Sequence, residues 1–301
     1  MNHPQSAILP DECKSGVFIE ADIMAGQHTG IQEACNRSLQ ALEQLQQRFP
    51  DASLGLTLAF GADLWRSFNR PTEAQELKPF RALGNGLAPA TQHDLMIHIQ
   101  SMRHDLSLSL AQQVVEYFEN IVTFATETHG MRLLENRGYD GFVDGTENPK
   151  GDDCPGVGLV HHGLDDEGGS YVLLQKYRHD LKKWAKSDLQ QQETCVGRTK
   201  DSDEELEDRA LDSHLARTDL KENGETLKIL RRSLPYGHIT GEHGLMFIAY
   251  CHRLHNIETQ LLSMFGETDG KVDLLLTHLT QAVSGAYYYA PSVERLKNLQ
   301  A

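Results

Sequence analysis

Two nine-residue stretches of this chain align without a gap: Leu-Met-Ile-His-Ile-Gln-Ser-Met-Arg at 95–103 and Leu-Met-Phe-Ile-Ala-Tyr-Cys-His-Arg at 245–253, 150 residues apart (95 against 245). Each is an apolar run of strand length that enters a His-containing polar stretch and then a helical pattern, 106–121 after the first and 257–265 after the second. Upstream, Ser-Gly-Val-Phe-Ile-Glu-Ala-Asp from 15 and Ser-Tyr-Val-Leu-Leu-Gln-Lys-Tyr from 170 match more loosely, 155 residues apart (15 against 170). A tandem duplication explains both matches and restricts the fold to one built twice. The competing reading, two unrelated strand-helix units drawing on the small alphabet of strands, stays open on these residues alone.

Within the first half, Ile31, Cys35, Leu39, Leu42, Leu45 and Phe49 recur at three and four residues, which predicts an amphipathic helix. Pro50-Asp51 breaks it, and Leu-Gly-Leu-Thr-Leu-Ala-Phe at 54–60 predicts a buried strand. Strand, helix, strand, loop, strand, helix, repeated, gives an α+β protein with helices packed on antiparallel sheets, which two ferredoxin-like halves at 1–150 and 151–301 would satisfy. At 301 residues with 39% hydrophobic content the chain can bury a sizeable core. A net charge of −15 argues against nucleic acid, whose phosphates need clustered Lys and Arg. The N-terminus shows no basic, apolar export signal, and no segment approaches the roughly 20 apolar residues of a membrane helix. Five scattered cysteines without a Cys-x-x-Cys pair fit neither a disulfide framework nor a cysteine zinc site, so a reducing cytoplasm is expected.

The run Gly-Phe-Val-Asp-Gly-Thr-Glu-Asn-Pro at 141–149 puts one carboxylate, Asp144, between glycines. Taken alone it is a surface turn, since Asp-Gly and Asn-Pro are turn formers. Fifteen histidines include none at a metal-ligating spacing such as His-Glu-x-x-His. In the apolar segment that starts at Leu227, strand alternation puts Arg231 and Ser233 on one face and Arg232 on the other. An exposed strand-end charge is the plain alternative for Arg231. The acidic run at 201–208 reads as a solvated loop. Phosphate-cradling, nucleophile-elbow and Cys-x-x-Cys-His haem-attachment signatures are all missing.

The 141–149 stretch carries the GxxDG signature, and with Asp-Ser-His-Leu-Ala-Arg-Thr-Asp at 212–219 the chain resembles the dye-decolorizing haem peroxidases, most closely their bacterial YfeX-like subgroup, class B (P). The resemblance runs from Ser6 through Gly-Leu-Ala-Pro-Ala-Thr-Gln-His-Asp at 86–94 to Pro291. It implies the duplicated ferredoxin-like fold of the dimeric α+β barrel superfamily and one non-covalent haem b, held by the C-terminal half. His214 would be the axial iron ligand, with Asp273, or the nearby Asp269, as the acceptor for its other ring nitrogen. Asp144 would transfer a proton between the peroxide oxygens, and Arg231 would stabilise developing charge, with Ser233 where many relatives carry Asn. Leu245 and Phe247 would line the distal face, Gly145, Thr146 and Asn148 would shape the loop at the haem edge, and Arg198 would meet a propionate.

The implied activity is oxidation of dyes and other one-electron donors by hydrogen peroxide through a ferryl intermediate, with an acidic optimum, since an aspartate ordinarily ionises near about pH 3.9. Tyr236, Trp184 and Tyr287 to Tyr289 are candidate electron relays to bulky donors; core packing is their plain alternative. A haem- or porphyrin-handling protein with incidental peroxidase activity is the competing reading, and a duplicated structural module without haem a third. A homodimer or larger homo-oligomer is expected, with no membrane or nucleic-acid partner. An encapsulin-docking extension is not evident after the final segment from Ser292.

Overall fold

The computed structural model describes residues 2–10 and 13–299; the last two residues of the C-terminal segment lie outside them. The first half runs β1 (Ser15–Ile23), a helix (Ile31–Arg48), β2 (Gly55–Phe60), β3 (Leu95–Ser101), a helix (His104–Phe118) and β4 (Val122–Met131). The second runs β5 (Ser170–His179), a long crossover of short helices, β6 (Leu234–Gly237), β7 (His243–Cys251), a helix (Leu254–Met264) and β8 (Ala286–Ala290). Each half is an antiparallel four-stranded sheet, ordered β2-β3-β1-β4 and β8-β5-β7-β6. This is the expected ferredoxin-like arrangement, used twice. The sheets join edge to edge, β8 to β2 through Tyr289 and Phe60 and β4 to β6 through Gly130 and Tyr236, which closes a barrel and leaves neither sheet with free edges.

Alternation sorts the side chains into two cores. Phe18, Met96, Ile248, Tyr250 and Tyr288 fill the barrel interior, while Val17, Ile19, Ile97 and Ile99 face outward under the helices. The equivalence of Leu95 and Leu245 holds, since Leu95 opens the third strand of the first half and Leu245 lies near the start of the third strand of the second. The looser upstream match is one residue out. Val17 pairs Ile99 as Leu173 pairs Ala249, so β1 and β5 correspond at an offset of 156 (17 against 173), not 155. The segment from Leu227 is also not strand throughout: only Leu230–Arg231 pairs with β7 before β6 continues in the same register. Among the described residues no helix is long and apolar enough to cross a membrane.

Candidate active site

The two sheets are covered differently. On the first, helix Ile31–Arg48 packs beside His104–Phe118, and Ala34, Cys35, Leu42, Leu110 and Val114 close a dry core over the strands. On the second, the crossover between β5 and β6 has no helix longer than eight residues, and the short helix His214–Thr218 takes the corresponding place against Leu254–Met264. A cavity of about 270 Å³ remains between sheet and helices, walled by Leu173, Leu245, Phe247, Ile257, Leu261 and Leu276. Leu245 and Phe247 thus stand on the cavity side of β7.

His214 opens its helix behind the cap Ser213, whose hydroxyl accepts the Ala216 N–H. Its Nδ1 donates to Asp273 Oδ2 at 2.6 Å. Asp273 is fully buried, and its second oxygen accepts the Leu275 N–H at 2.8 Å, capping the helix Leu274–His278. Burial alone lowers the His214 pKa, but the Asp273 charge and hydrogen bond outweigh it and hold it above the ordinary histidine range. In the neutral imidazole Asp273 fixes the remaining proton on Nδ1, so the Nε2 lone pair is the one available to a ligand in the cavity. Asp269, the other candidate, instead forms a two-pronged pair with Arg217, both contacts at 3.0 Å, and so ties the His214 helix to the loop after Leu254–Met264.

The 141–149 run is a turn, as its residues predict, but it folds over the cavity. Asp144 N donates to Asn136 O at 2.8 Å, Arg137 Nη1 donates to Gly141 O at 2.8 Å, and Phe142 is buried against Trp184. Gly141 has φ +88°, and a Cβ there would lie 2.6 Å from Lys200 Cε. Asp144, Gly145 and Thr146 line the cavity, and Thr146 Oγ1 donates to Asp203. Asn148 does not line it; its amide holds the backbone of Arg231 from both sides, accepting from N at 2.8 Å and donating to O at 3.0 Å.

Arg231 and Ser233 face the cavity, and Arg232 points into the barrel, where it donates to the carbonyls of Ile8 and Leu9. The Arg231 Nε is buried without a hydrogen-bond partner among the described residues. Ser233 differs from expectation in its bonding: its hydroxyl accepts the Ile248 N–H at 3.2 Å and is spent on the strand pairing. Arg198 borders the cavity but is already held by Asp203 at 3.0 Å, Glu147 at 2.9 Å and Glu205 at 3.5 Å. Asp203 thus brings the acidic run, expected to be only a solvated loop, to the cavity margin. Of the candidate relays, Trp184, Tyr236 and Tyr287 to Tyr289 are all buried, and none borders the cavity.

Sequence reasoning missed Asp140. Its carboxyl lines the same cavity as Asp144 and accepts the Phe142 N–H at 3.0 Å, and an Asp-Gly pair two residues before Val-Asp-Gly was the available signal. The donor set fits the haem that the sequence implies. An imidazole with its tautomer fixed, apolar walls and an arginine whose buried Nε has no hydrogen-bond partner among the described residues suit a flat apolar group that carries iron and binds an anionic oxygen.

The family models for Dyp-type peroxidases match the chain along nearly its whole length, the N-terminal one at residues 5–132 and the C-terminal one at 135–295. A dye-decolorizing peroxidase of Mycobacterium tuberculosis is 32% identical, covering 97% of this chain and 89% of its own. Among solved structures, a dye-decolorizing protein from V. cholerae superposes with a TM-score of 0.93 at 41% identity, covering 98% of this chain and 99% of its own. A variant of Rhodococcus jostii DypB in complex with haem superposes at 0.91 with 29% identity, covering 99% of this chain and 100% of its own.

Proposed function

Because this chain belongs to the Dyp-type peroxidase family and is an oxidoreductase of that family, we propose that its cavity binds one non-covalent b-type haem, with His214 on the iron and hydrogen peroxide as oxidant. The observation that carries the assignment is the 2.6 Å bond from His214 Nδ1 to a fully buried carboxylate, which commits the other ring nitrogen to the cavity. When bound, the haem supplies the redox chemistry of peroxide cleavage and one-electron oxidation.

The chain's own residues do the rest. Asp144 accepts the peroxide proton and returns it to the departing oxygen, and Arg231, whose buried Nε has no partner among the described residues, stabilises the negative charge that develops there. Leu245 and Phe247 keep water scarce on that side, Gly145 and Thr146 shape the turn, and Asn148 fixes Arg231 through its backbone. Ser233 acts by holding β7 rather than by moving a proton. Arg198 positions the rim, and meets a propionate only by giving up one of its carboxylates. Dyes and other one-electron donors are the reductants. Their electrons enter near the turn, where Trp184 packs on the cavity-lining Phe142 with ring centres 6.4 Å apart.

The repeat boundary is proposed at 150/151, so that the N-terminal half contributes the Asp144 turn. Five free, buried cysteines support a cytoplasmic setting. A homodimer or larger homo-oligomer is part of the same proposal. The test is the absorption spectrum of wild type beside His214→Ala and Asp144→Asn after haem supplementation. Wild type should show a Soret band that responds to peroxide, His214→Ala an altered or lost band, and Asp144→Asn a normal band with a slow peroxide response. A wild-type band in His214→Ala would overturn the ligand assignment.

A further inference from the structure

Asp140 stands four residues before Asp144 on the same turn, and the fold holds its carboxyl in place. Oδ1 takes the Phe142 N–H at 3.0 Å and sits in the hollow at Gly138, where a Cβ would come within 2.7 Å of it. Its carbonyl takes the Trp184 indole N–H at 3.1 Å, which anchors the residue from the other side. Two carboxyl groups therefore line one cavity, while the Ser233 hydroxyl is tied to Ile248. The charged and titratable groups facing Asp140 are Asp144 on its own turn, Lys200 folded over Gly141, His214 at its helix start, and Arg137 beneath the turn. Lys200 spends its short hydrogen bond, 2.7 Å, on Gln192 rather than on Asp140. Among the described residues no cation forms an ion pair with the second carboxyl; Lys200 and His214 act on it only through space.

We propose that Asp140 is a positioning residue for the peroxide reaction, a second carboxyl that exchanges a proton with solvent beside Asp144 and whose charge opposes the negative charge developing in the cavity. The proposal rests on the reading of Asp144 as the proton-transfer group. The exchange is a proton moving between Asp140 and water, with no change of oxidation state. Burial pushes the Asp140 pKa up to about 6; the Asp144 charge adds to this, and the Phe142 N–H, Lys200 and His214 oppose it. The group is therefore neutral in mild acid, where it leaves the Arg231 field undiminished, and charged above neutrality, where it weakens that field. Asp140 would then set the upper limb of an acidic activity optimum.

The test uses haem-loaded wild type, Asp140→Asn, Asp144→Asn and Gly138→Ala, each read two ways. Infrared difference spectra across pH follow the protonated-carboxyl band, and stopped-flow mixing follows the bimolecular reaction with hydrogen peroxide. Wild type should show a carboxyl band titrating near pH 6, absent from Asp140→Asn. Its peroxide rate should fall roughly tenfold between about pH 5 and about pH 7.5, against less than about twofold in Asp140→Asn. A band that persists in Asp140→Asn, or superimposable rate profiles, overturns the proposal. If Asp140→Asn does not load haem, Gly138→Ala decides: it presses on the carboxyl without removing it, so an unmoved midpoint overturns the proposal and a displaced one supports it. Asp144→Asn reacting at wild-type speed would overturn the role of Asp144 instead, and the infrared band of Asp140 keeps the two failures apart.

Discussion

Replacing Asp273 separates two tasks that one carboxylate performs. Its Oδ2 accepts from His214 at 2.6 Å and its Oδ1 caps the Leu274–His278 helix through Leu275 at 2.8 Å. Asp273→Asn keeps an oxygen for the cap or for His214 but removes the charge. Asp273→Ala removes both acceptors; the lost cap costs about 1 kcal/mol and the stranded, buried imidazole N–H about 1–3 kcal/mol. Thermal melts of the ligand-free protein should therefore place Ala about 2–4 kcal/mol below wild type and Asn nearer to it. Haem affinity tests the other task. Loss of the carboxylate that raises imidazole basicity should weaken binding by roughly 10–100-fold in both variants. There is also a pH signature. His214 has a raised folded-state pKa, so in the ligand-free protein its pairing contributes stability that is fully present below about pH 6.5 and is lost as pH rises through the raised value. Asp273→Asn should flatten that slope. Equal melts for Asn and Ala, with wild-type haem affinity in both, would refute the reasoning.

Other consequences are open to measurement. Asn148→Ala removes the two bonds that hold the Arg231 backbone, so stability should fall by about 1–2 kcal/mol and the peroxide reaction should slow by about tenfold or more in stopped-flow mixing; an unchanged rate would mean Arg231 is positioned by other contacts. Gly141→Ala forces a side chain onto a φ of +88° and against Lys200, and should cost about 1–3 kcal/mol in chemical denaturation. Lys200→Ala in the same chain should recover the steric part only. His98 is fully buried against Phe18 and Tyr250, and burial, then Arg232, lowers its pKa to about 3. Its neutral form is favoured by folding, so stability should fall as pH drops below about 6.5, and His98→Leu should show a shallower acid limb in urea titrations even though Tyr250 loses its partner.

How far the sequence could be read followed from which signals are periodic. Alternation separated Arg231 and Ser233 from Arg232, and the structure has them on opposite faces because the register with β7 is continuous from Leu230 to Gly237. The same rule failed to fix the β1 and β5 correspondence. Both faces of these strands are buried, so polar and apolar positions do not alternate and a one-residue slip leaves no trace in composition. Asp273 and Asp269 could not be separated either: they lie four residues apart and either could cap a helix. Only the path of the chain gives one to His214 and the other to Arg217. The engagement of Ser233 with Ile248, of Arg198 with three carboxylates, and of Asp203 with the turn depends on loops, where neither a 3.6- nor a 2-residue period operates.

The cavity itself follows from the duplication. Two copies of one sheet present comparable apolar outer faces, and each must be covered. The first copy is covered by an 18-residue amphipathic helix; at the same topological place the second has the five-residue helix that begins with His214. The cavity of about 270 Å³ left there is open to solvent and lined by charged as well as apolar groups, so its apolar wall stays in contact with water until a ligand covers it. A flat apolar ligand would take the long helix's place and bury that wall. On this view haem is a structural component of the second half as well as its reagent, and the half that lacks the long helix should be the half whose hydrogen exchange slows most when haem is added.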